Sequence, residues 1–263
     1  MTSNADAAIA ALRAGYDHLA PIVRGLSEED LAGPSGAAEW DVSQVLSHLG
    51  SGAEIHLATL EAALAGEPNK GLEFNKTVWA RWDGSTRAER AAGFLEINET
   101  LLRRYEDLDP ATRKELRVDM GFLPAPVDVA TAASLRLSEF AFHSWDVRVA
   151  ADPAAELHPD AVPLLLGLTG GMFAWLTNPA VLEGREAGLR VELTGPDRVL
   201  GLNLAEPVKL GDVPGEPDGV LRLPAEAWLR LVVGRLAPQY TPAEASTDGA
   251  ADLDLLRRVF KGF

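Results

Sequence analysis

The spacing of apolar residues changes near residue 152, and this change limits the possible folds more than any other feature of the chain. Before it, apolar positions recur every three or four residues, which is the period of an amphipathic helix. After it, segments such as 189–194 alternate apolar and polar residues, as half-buried strands do. The sequence therefore predicts a mainly helical domain over residues 1–155 and a smaller α+β domain over residues 156–263.

Helices separated by turn-rich breaks are expected in the N-terminal domain, and their pattern predicts a bundle. Asp41 is expected to cap the second helix, with Gln44 in the reciprocal position. The apolar segment Met120–Pro126 is interpreted either as a lid over a site or as a loop merely packed on the bundle. The helices are expected at about residues 7–25, from 42 onward, 86–108 and 127–150.

The C-terminal domain is expected to mix short strands with helices. A hairpin is predicted around the turn Gly195-Pro196-Asp197, because apolar residues alternate on both sides of it. Further strands are expected at 208–210 and 220–223, and further helices at about 160–176, 224–236 and 250–261.

Composition excludes several classes of function. The formal charge of −15 and a pI near 4.7, with no basic patch, argue against nucleic acid or an anionic membrane as partner. The longest apolar run, Val162–Leu176, is interrupted and too short to span a bilayer. No N-terminal secretory signal is recognisable, so a cytoplasmic location is expected. Because the chain has no cysteine, any thiol chemistry requires a thiol from outside.

Three residues are candidate metal ligands. Glu139 and His143 are four residues apart and therefore share one helix face, and His48 lies on the same face of its helix as core residues. Two imidazoles and one carboxylate are a ligand set of catalytic zinc, with one coordination position left open. Ferrous iron, nickel and manganese also accept this set. The alternative is that the histidines are hydrogen-bonded core residues.

Two charged residues on the same predicted helix could support this site. Asp146 could accept the second ring proton of His143, or it could pair with Arg148. Arg136 could neutralise a substrate carboxylate, or it could form a structural ion pair with Glu139 or Glu89. His56 is a rival to His48 but points about 80° away around the helix. Trp40 and Trp145 are expected to pack in the core.

Two segments, Trp40–Leu49 and Arg136–Val147, carry a resemblance to a known family. The chain resembles the mycothiol-dependent maleylpyruvate isomerases, whose N-terminal domain is a DinB-like four-helix bundle. The resemblance implies that His48, Glu139 and His143 bind a divalent metal, with zinc as the first expectation. It also implies a C-terminal domain similar to sterol-carrier folds, and it covers nearly the whole chain.

The same resemblance implies an activity. Mycothiol would be the cosubstrate, and its thiolate would attack a small electrophile, giving an isomerase or an S-transferase. By its position after Gly234, Arg235 matches an arginine that faces the active site, although it could simply favour the negative end of its helix. The alternatives are a non-catalytic small-molecule binding protein and a metal-dependent hydrolase. A monomer or weak homodimer is expected.

Overall fold

The computed structural model describes residues 4–168, 171 and 175–262. The chain divides into two compact units, residues 1–161 and 162–263. The first unit is mainly helical and the second contains a five-stranded sheet with helices, which confirms the predicted fold class.

The first unit is built on a four-helix bundle. Its elements are α1 (Asn4–Gly25), α2 (Glu28–Ala32), α3 (Val42–Ala65), α4 (Gly71–Asp83), α5 (Arg87–Glu106), α6 (Pro110–Glu115), β1 (Arg117–Val118), β2 (Val127–Asp128) and α7 (Val129–Arg148). Helices α1 and α3 each pack against both α5 and α7, so these four form a closed ring. The ring buries the apolar stripes seen in the sequence.

Side-chain caps fix where the bundle helices begin. Asp41 accepts a hydrogen bond from the backbone N–H of Gln44, and the Gln44 side chain accepts one from the backbone N–H of Asp41, as predicted. Thr86 and Glu89 form the same reciprocal box at the start of α5. These caps satisfy backbone donors that have no partner within the helix, and the first of them sets the register of His48 along α3.

Helix α4 was not predicted, and only Val78 and Trp82 of its residues are buried. It is held on α3 by one close approach: a Cβ atom placed on Gly50 would lie 2.1 Å from the Trp82 ring. The Trp82 indole also donates to Glu54 Oε2 at 2.9 Å. These two buried residues are four apart and therefore share one face of the helix.

The second unit is an α+β fold. Its elements are α8 (Val162–Leu166), a 3-10 turn (Pro179–Leu182), β3 (Ala187–Thr194), β4 (Arg198–Leu204), β5 (Lys209–Gly211), β6 (Gly219–Pro224), α9 (Ala225–Val232), a 3-10 turn (Pro238–Tyr240), β7 (Ser246–Gly249) and α10 (Leu253–Val259). The strand order is β5-β4-β3-β6-β7, with only β3 and β6 parallel. Helix α9 packs against β3 and β6.

The predicted hairpin is confirmed, with Leu193 opposite Arg198 in β3 and β4. Strand β7 was missed because all four of its residues are exposed, so no alternation marks it. The helix expected at about 160–176 is described only in part, since residues 169–170 and 172–174 lie outside the described residues. Among the described helices, none is both long and apolar enough to cross a membrane.

Candidate metal centre

The three predicted ligands come together between α3 and α7. His48 Nε2 lies 3.0 Å from Glu139 Oε2, and His143 Nε2 lies 3.8 Å from the same oxygen. One ligand atom from each side chain falls within 4.8 Å of the other two. Ligands about 2.1 Å from one cation in a tetrahedron are about 3.4 Å apart, so the donor set and its spacing fit a divalent metal.

Asp146 orients one of these ligands. Its Oδ2 atom lies 2.8 Å from His143 Nδ1, so the imidazole donates its Nδ1 proton there and keeps Nε2 for the triad. Asp146 has no exposed surface, which fixes the carboxylate in place. Gly36 closes over it, since a Cβ at that position would lie 2.8 Å from Asp146 Oδ1. This is the arrangement in which an outer carboxylate sets the tautomer of a metal-binding histidine.

The triad is buried on one side and open on the other. The His143 side chain is 5% exposed, whereas those of His48 and Glu139 are 38% and 45% exposed. Burial by itself would raise the pKa of Glu139, but the hydrogen bond with His48 and the charges of His143, His48 and Arg136 outweigh it. Together they hold the pKa of this carboxyl below its ordinary value. Glu139 is therefore ionised at neutral pH, as a ligand must be.

Trp40 contacts both imidazoles, which the sequence did not predict. Its ring centroid lies 5.2 Å from that of His48 and 5.9 Å from that of His143, stacked on the latter. The side chain remains 36% exposed, so the expectation of core packing was wrong for Trp40. It was right for Trp145, which is buried and donates to Ala155 O. Trp40 thus places an apolar ring beside the two histidines of the triad.

Arg136 lies beneath the triad rather than in it. Its Nη2 atom donates to Leu49 O at 2.8 Å and to Asn98 Oδ1 at 2.7 Å, which ties α7 to α3 and α5. Glu89, one expected partner, caps α5 instead. Burial lowers the pKa of Arg136 to about 10, so the guanidinium stays charged at neutral pH.

His56 is not a fourth ligand. It is buried, and its Nε2 lies within hydrogen-bond distance of the Tyr105 hydroxyl. Burial first, and then the charge of Arg136, lower the pKa of His56 to about 3, so the ring is neutral. A neutral imidazole has one unprotonated ring nitrogen, so Nε2 can accept a hydrogen bond from the Tyr105 hydroxyl. Because His56 contacts Tyr105, His48 remains the candidate ligand from α3.

A cavity of about 510 Å³ opens beside the exposed side of the triad. His48 and Glu139 form part of its lining, together with residues of α4 and of the loop after β1. The loop segment Met120–Phe122 lies in this lining, which favours the interpretation of 120–126 as part of a site. The volume falls within the usual range for small-molecule sites.

Arg235 lies in the second unit, just after α9. It is buried, and its Nη1 donates to Val233 O at 3.1 Å. The expected role of Arg235 in the active site stays a prediction.

Comparison with known proteins places the chain. The family described as "Mycothiol maleylpyruvate isomerase N-terminal domain" matches residues 12–148, which include the complete triad. The chain belongs to this family.

Solved structures show the same fold over nearly the whole chain. The crystal structures of the mycothiol-dependent maleylpyruvate isomerase and of a histidine-to-alanine mutant of it each match with a TM-score of 0.63. Each is 14% identical in sequence, and the match covers 94% of this chain and 95% of theirs. Comparison with curated protein sequences gives no match. At this identity the structural likeness concerns the fold alone.

Proposed function

We propose that this chain is a metal-dependent enzyme that uses mycothiol as the nucleophile against a small electrophile, acting as an isomerase or an S-transferase. The observation that carries the proposal is the convergence of His48, Glu139 and His143 on one point that is open on one side. Three protein ligands with a free position are typical of a catalytic rather than a structural metal. We propose zinc as the metal and the cytoplasm as the location.

The proposed mechanism assigns a separate task to each side chain. A divalent cation at the triad would lower the pKa of a thiol in its open position and so raise the fraction of thiolate. Asp146 holds the Nδ1 proton of His143, which leaves the Nε2 lone pair facing the triad. Glu139 is ionised at neutral pH, since its surroundings hold its pKa below the ordinary value of a carboxyl. Following the family resemblance, we also propose Arg235 as a catalytic residue that faces the active site.

The proposed covalent steps involve only the thiol, the electrophile and solvent, and no side chain of the protein forms or breaks a covalent bond. The thiol loses its proton to solvent, and a sulfur lone pair forms a bond to the electrophilic carbon. In an S-transfer the leaving group departs with its bonding electrons, or a proton adds to the neighbouring carbon of a double bond. In an isomerisation the former double bond rotates while it is a single bond. The C–S bond then breaks, the double bond forms again, and the released thiolate takes up a proton to give back the thiol.

Thiol consumption separates the two reactions. The purified, zinc-supplied protein would be incubated with mycothiol and either maleylpyruvate or a bimane electrophile. Because the chain contains no cysteine, such reagents meet no thiol on the protein itself. We expect turnover that depends on mycothiol, with thiol recovered by an isomerase and consumed by a transferase.

Three results would contradict the proposal in different ways. Turnover without any thiol would indicate a hydrolase, in which water is the nucleophile. Retained metal with no turnover under any of these conditions would exclude the reaction. Less than about a tenth of an equivalent of tightly bound metal would indicate a non-catalytic binding protein.

A further inference from the structure

One side of the cavity beside the triad, here called the apolar wall, is lined by exposed apolar side chains that are not part of the bundle core. Phe122 is 70% exposed, and Leu72 and Trp79 are also exposed, yet all three line this one cavity. Ile55 of α3 adds to the same lining. Clustered exposed apolar side chains of this size mark a binding surface, because leaving them in water costs free energy.

The wall is fixed in position by one amide. Asn69 Nδ2 donates to Asp119 O at 2.8 Å and to Thr59 Oγ1 at 3.2 Å, which joins the loop to α3. Its Oδ1 accepts from the N–H of Gly71 at 2.8 Å, which fixes the start of α4. Gly121, with φ of +75°, turns the chain against this amide. The aromatic residues are thus held ready before a ligand binds, which lowers the entropy cost of binding.

The charges of the cavity are those of the triad and little else. Among the described residues that line it, the ionisable ones are Glu139, His48 and His56, and none is lysine, arginine or aspartate. His56 is neutral because its pKa is about 3. The lining therefore offers a substrate carboxylate no lysine or arginine side chain, and its cationic partner would have to be a metal ion held by the triad.

From this wall and its lack of charge we propose that the cavity binds the electrophile, and that the electrophile is an uncharged molecule with an aromatic or alkyl body. Phe122 and Trp79 determine this specificity. The inference rests on the proposed thiol chemistry for its reaction, but the binding step can be measured alone. It favours transfer onto apolar electrophiles over reaction with dicarboxylate anions.

A matched pair of electrophiles tests the inference. Each of 1-chloro-2,6-dinitrobenzene and 4-chloro-3,5-dinitrobenzoate reacts with a thiol in the same way. The thiol proton goes to solvent, sulfur bonds to the ring carbon, and chloride leaves with the C–Cl electrons. The two differ in one carboxylate. We expect kcat/KM to be at least tenfold higher for the uncharged compound, after division by the rates of the uncatalysed reactions.

Binding is measured separately, with no thiol and no leaving group. Titration calorimetry of the zinc-supplied protein would compare 1,3-dinitrobenzene with 3,5-dinitrobenzoate. We expect Phe122→Ala and Trp79→Ala each to weaken binding of the uncharged ring about tenfold. Trp175→Ala, which removes an exposed aromatic residue of the second unit, is the control and should bind as the parent does. Circular dichroism would check that each variant is folded.

A reversal variant makes the test sharper. Phe122→Arg places a cation at an exposed position of the wall and should shift the preference toward 3,5-dinitrobenzoate. Equal or tighter binding of the benzoate by the parent protein would overturn the inference, as would unchanged affinity in both alanine variants. If the uncharged ring binds as expected but no thiol reacts, the proposed function fails while the cavity assignment stands.

Discussion

Asp146, a carboxylate with no exposed surface, accepts the Nδ1 proton of His143 at 2.8 Å, one helical turn further along α7. The pair fixes both the tautomer and the ring orientation of a proposed metal ligand. The Asp146→Asn substitution keeps a hydrogen-bond acceptor but removes the negative charge. We expect zinc affinity to fall about 10- to 100-fold. Competition with a chelating dye would measure this, with Asp160→Asn as an exposed control; unchanged affinity would contradict the role of Asp146.

Removal of a predicted metal ligand should abolish metal binding without unfolding the chain. We expect His143→Ala to abolish retention of zinc while the chain stays folded, because an open catalytic site contributes less to folding than a closed structural one. Elemental analysis and circular dichroism of the same preparation would test both parts. Complete unfolding of the variant would contradict this expectation.

Buried His56 makes stability depend on pH. The unfolded chain binds a proton at His56 below about pH 6.5, whereas the folded chain resists it until pH falls to about 3. The free energy of unfolding should therefore decrease as pH falls through this window, by about 2 kcal/mol for this group between pH 7 and 5. Urea unfolding of metal-free protein would show a shallower decrease in His56→Gln. The control His158→Gln should show the same dependence of the free energy of unfolding on pH as the parent protein. The same dependence in His56→Gln would contradict the prediction.

Arg136 should act through its contact with Asn98. Arg136→Met leaves Asn98 Oδ1 and Leu49 O without this donor, and we expect the free energy of unfolding to fall by about 1–3 kcal/mol. A double-mutant cycle with Asn98→Leu should show coupling, since the two side chains share a hydrogen bond. If stability is unchanged and KM for a carboxylate-bearing substrate rises tenfold, Arg136 binds substrate instead.

The contact between Gly50 and Trp82 should hold α4 in place. A methyl group at Gly50 would overlap the indole, so we expect Gly50→Ala to destabilise the fold by about 1–3 kcal/mol. Gly25→Ala is the matched control, because no atom lies within 4 Å of a Cβ at that position. Urea unfolding of both variants would measure the difference. Equal stability of the two would show that α4 packs less tightly than described.

The bundle and the three residues of the triad were predictable because local chemistry specifies their positions. The spacing of Glu139 and His143 places them on one helix face, and the Asp41 cap fixes the start of the helix that carries His48. Which residues surround the triad was less predictable. Trp40 was expected in the core, yet it contacts both imidazoles from a loop whose path the sequence pattern does not reveal.

The cavity wall was largely hidden from sequence analysis for a related reason. Helix α4 carries two of its apolar residues, Leu72 and Trp79, but the helix has only two buried residues and so gives a weak periodic signal. Strand β7 was also not predicted, because all of its residues are exposed and give no alternating pattern. Elements that serve a site or a sheet edge, and not the core, leave little hydrophobic pattern to read.

The Asn69 amide supports the backbone of the cavity wall, and it forms no hydrogen bond with the side chains that make up the surface of the wall. Its bonds go to Thr59, to the backbone carbonyl of Asp119 and to the backbone N–H of Gly71, and none goes to a side chain at 72, 79 or 122. Those three positions can therefore be exchanged by mutation while the loop and helix keep their course. Related chains that keep the same triad can in this way diverge in the molecules they accept without rebuilding the bundle.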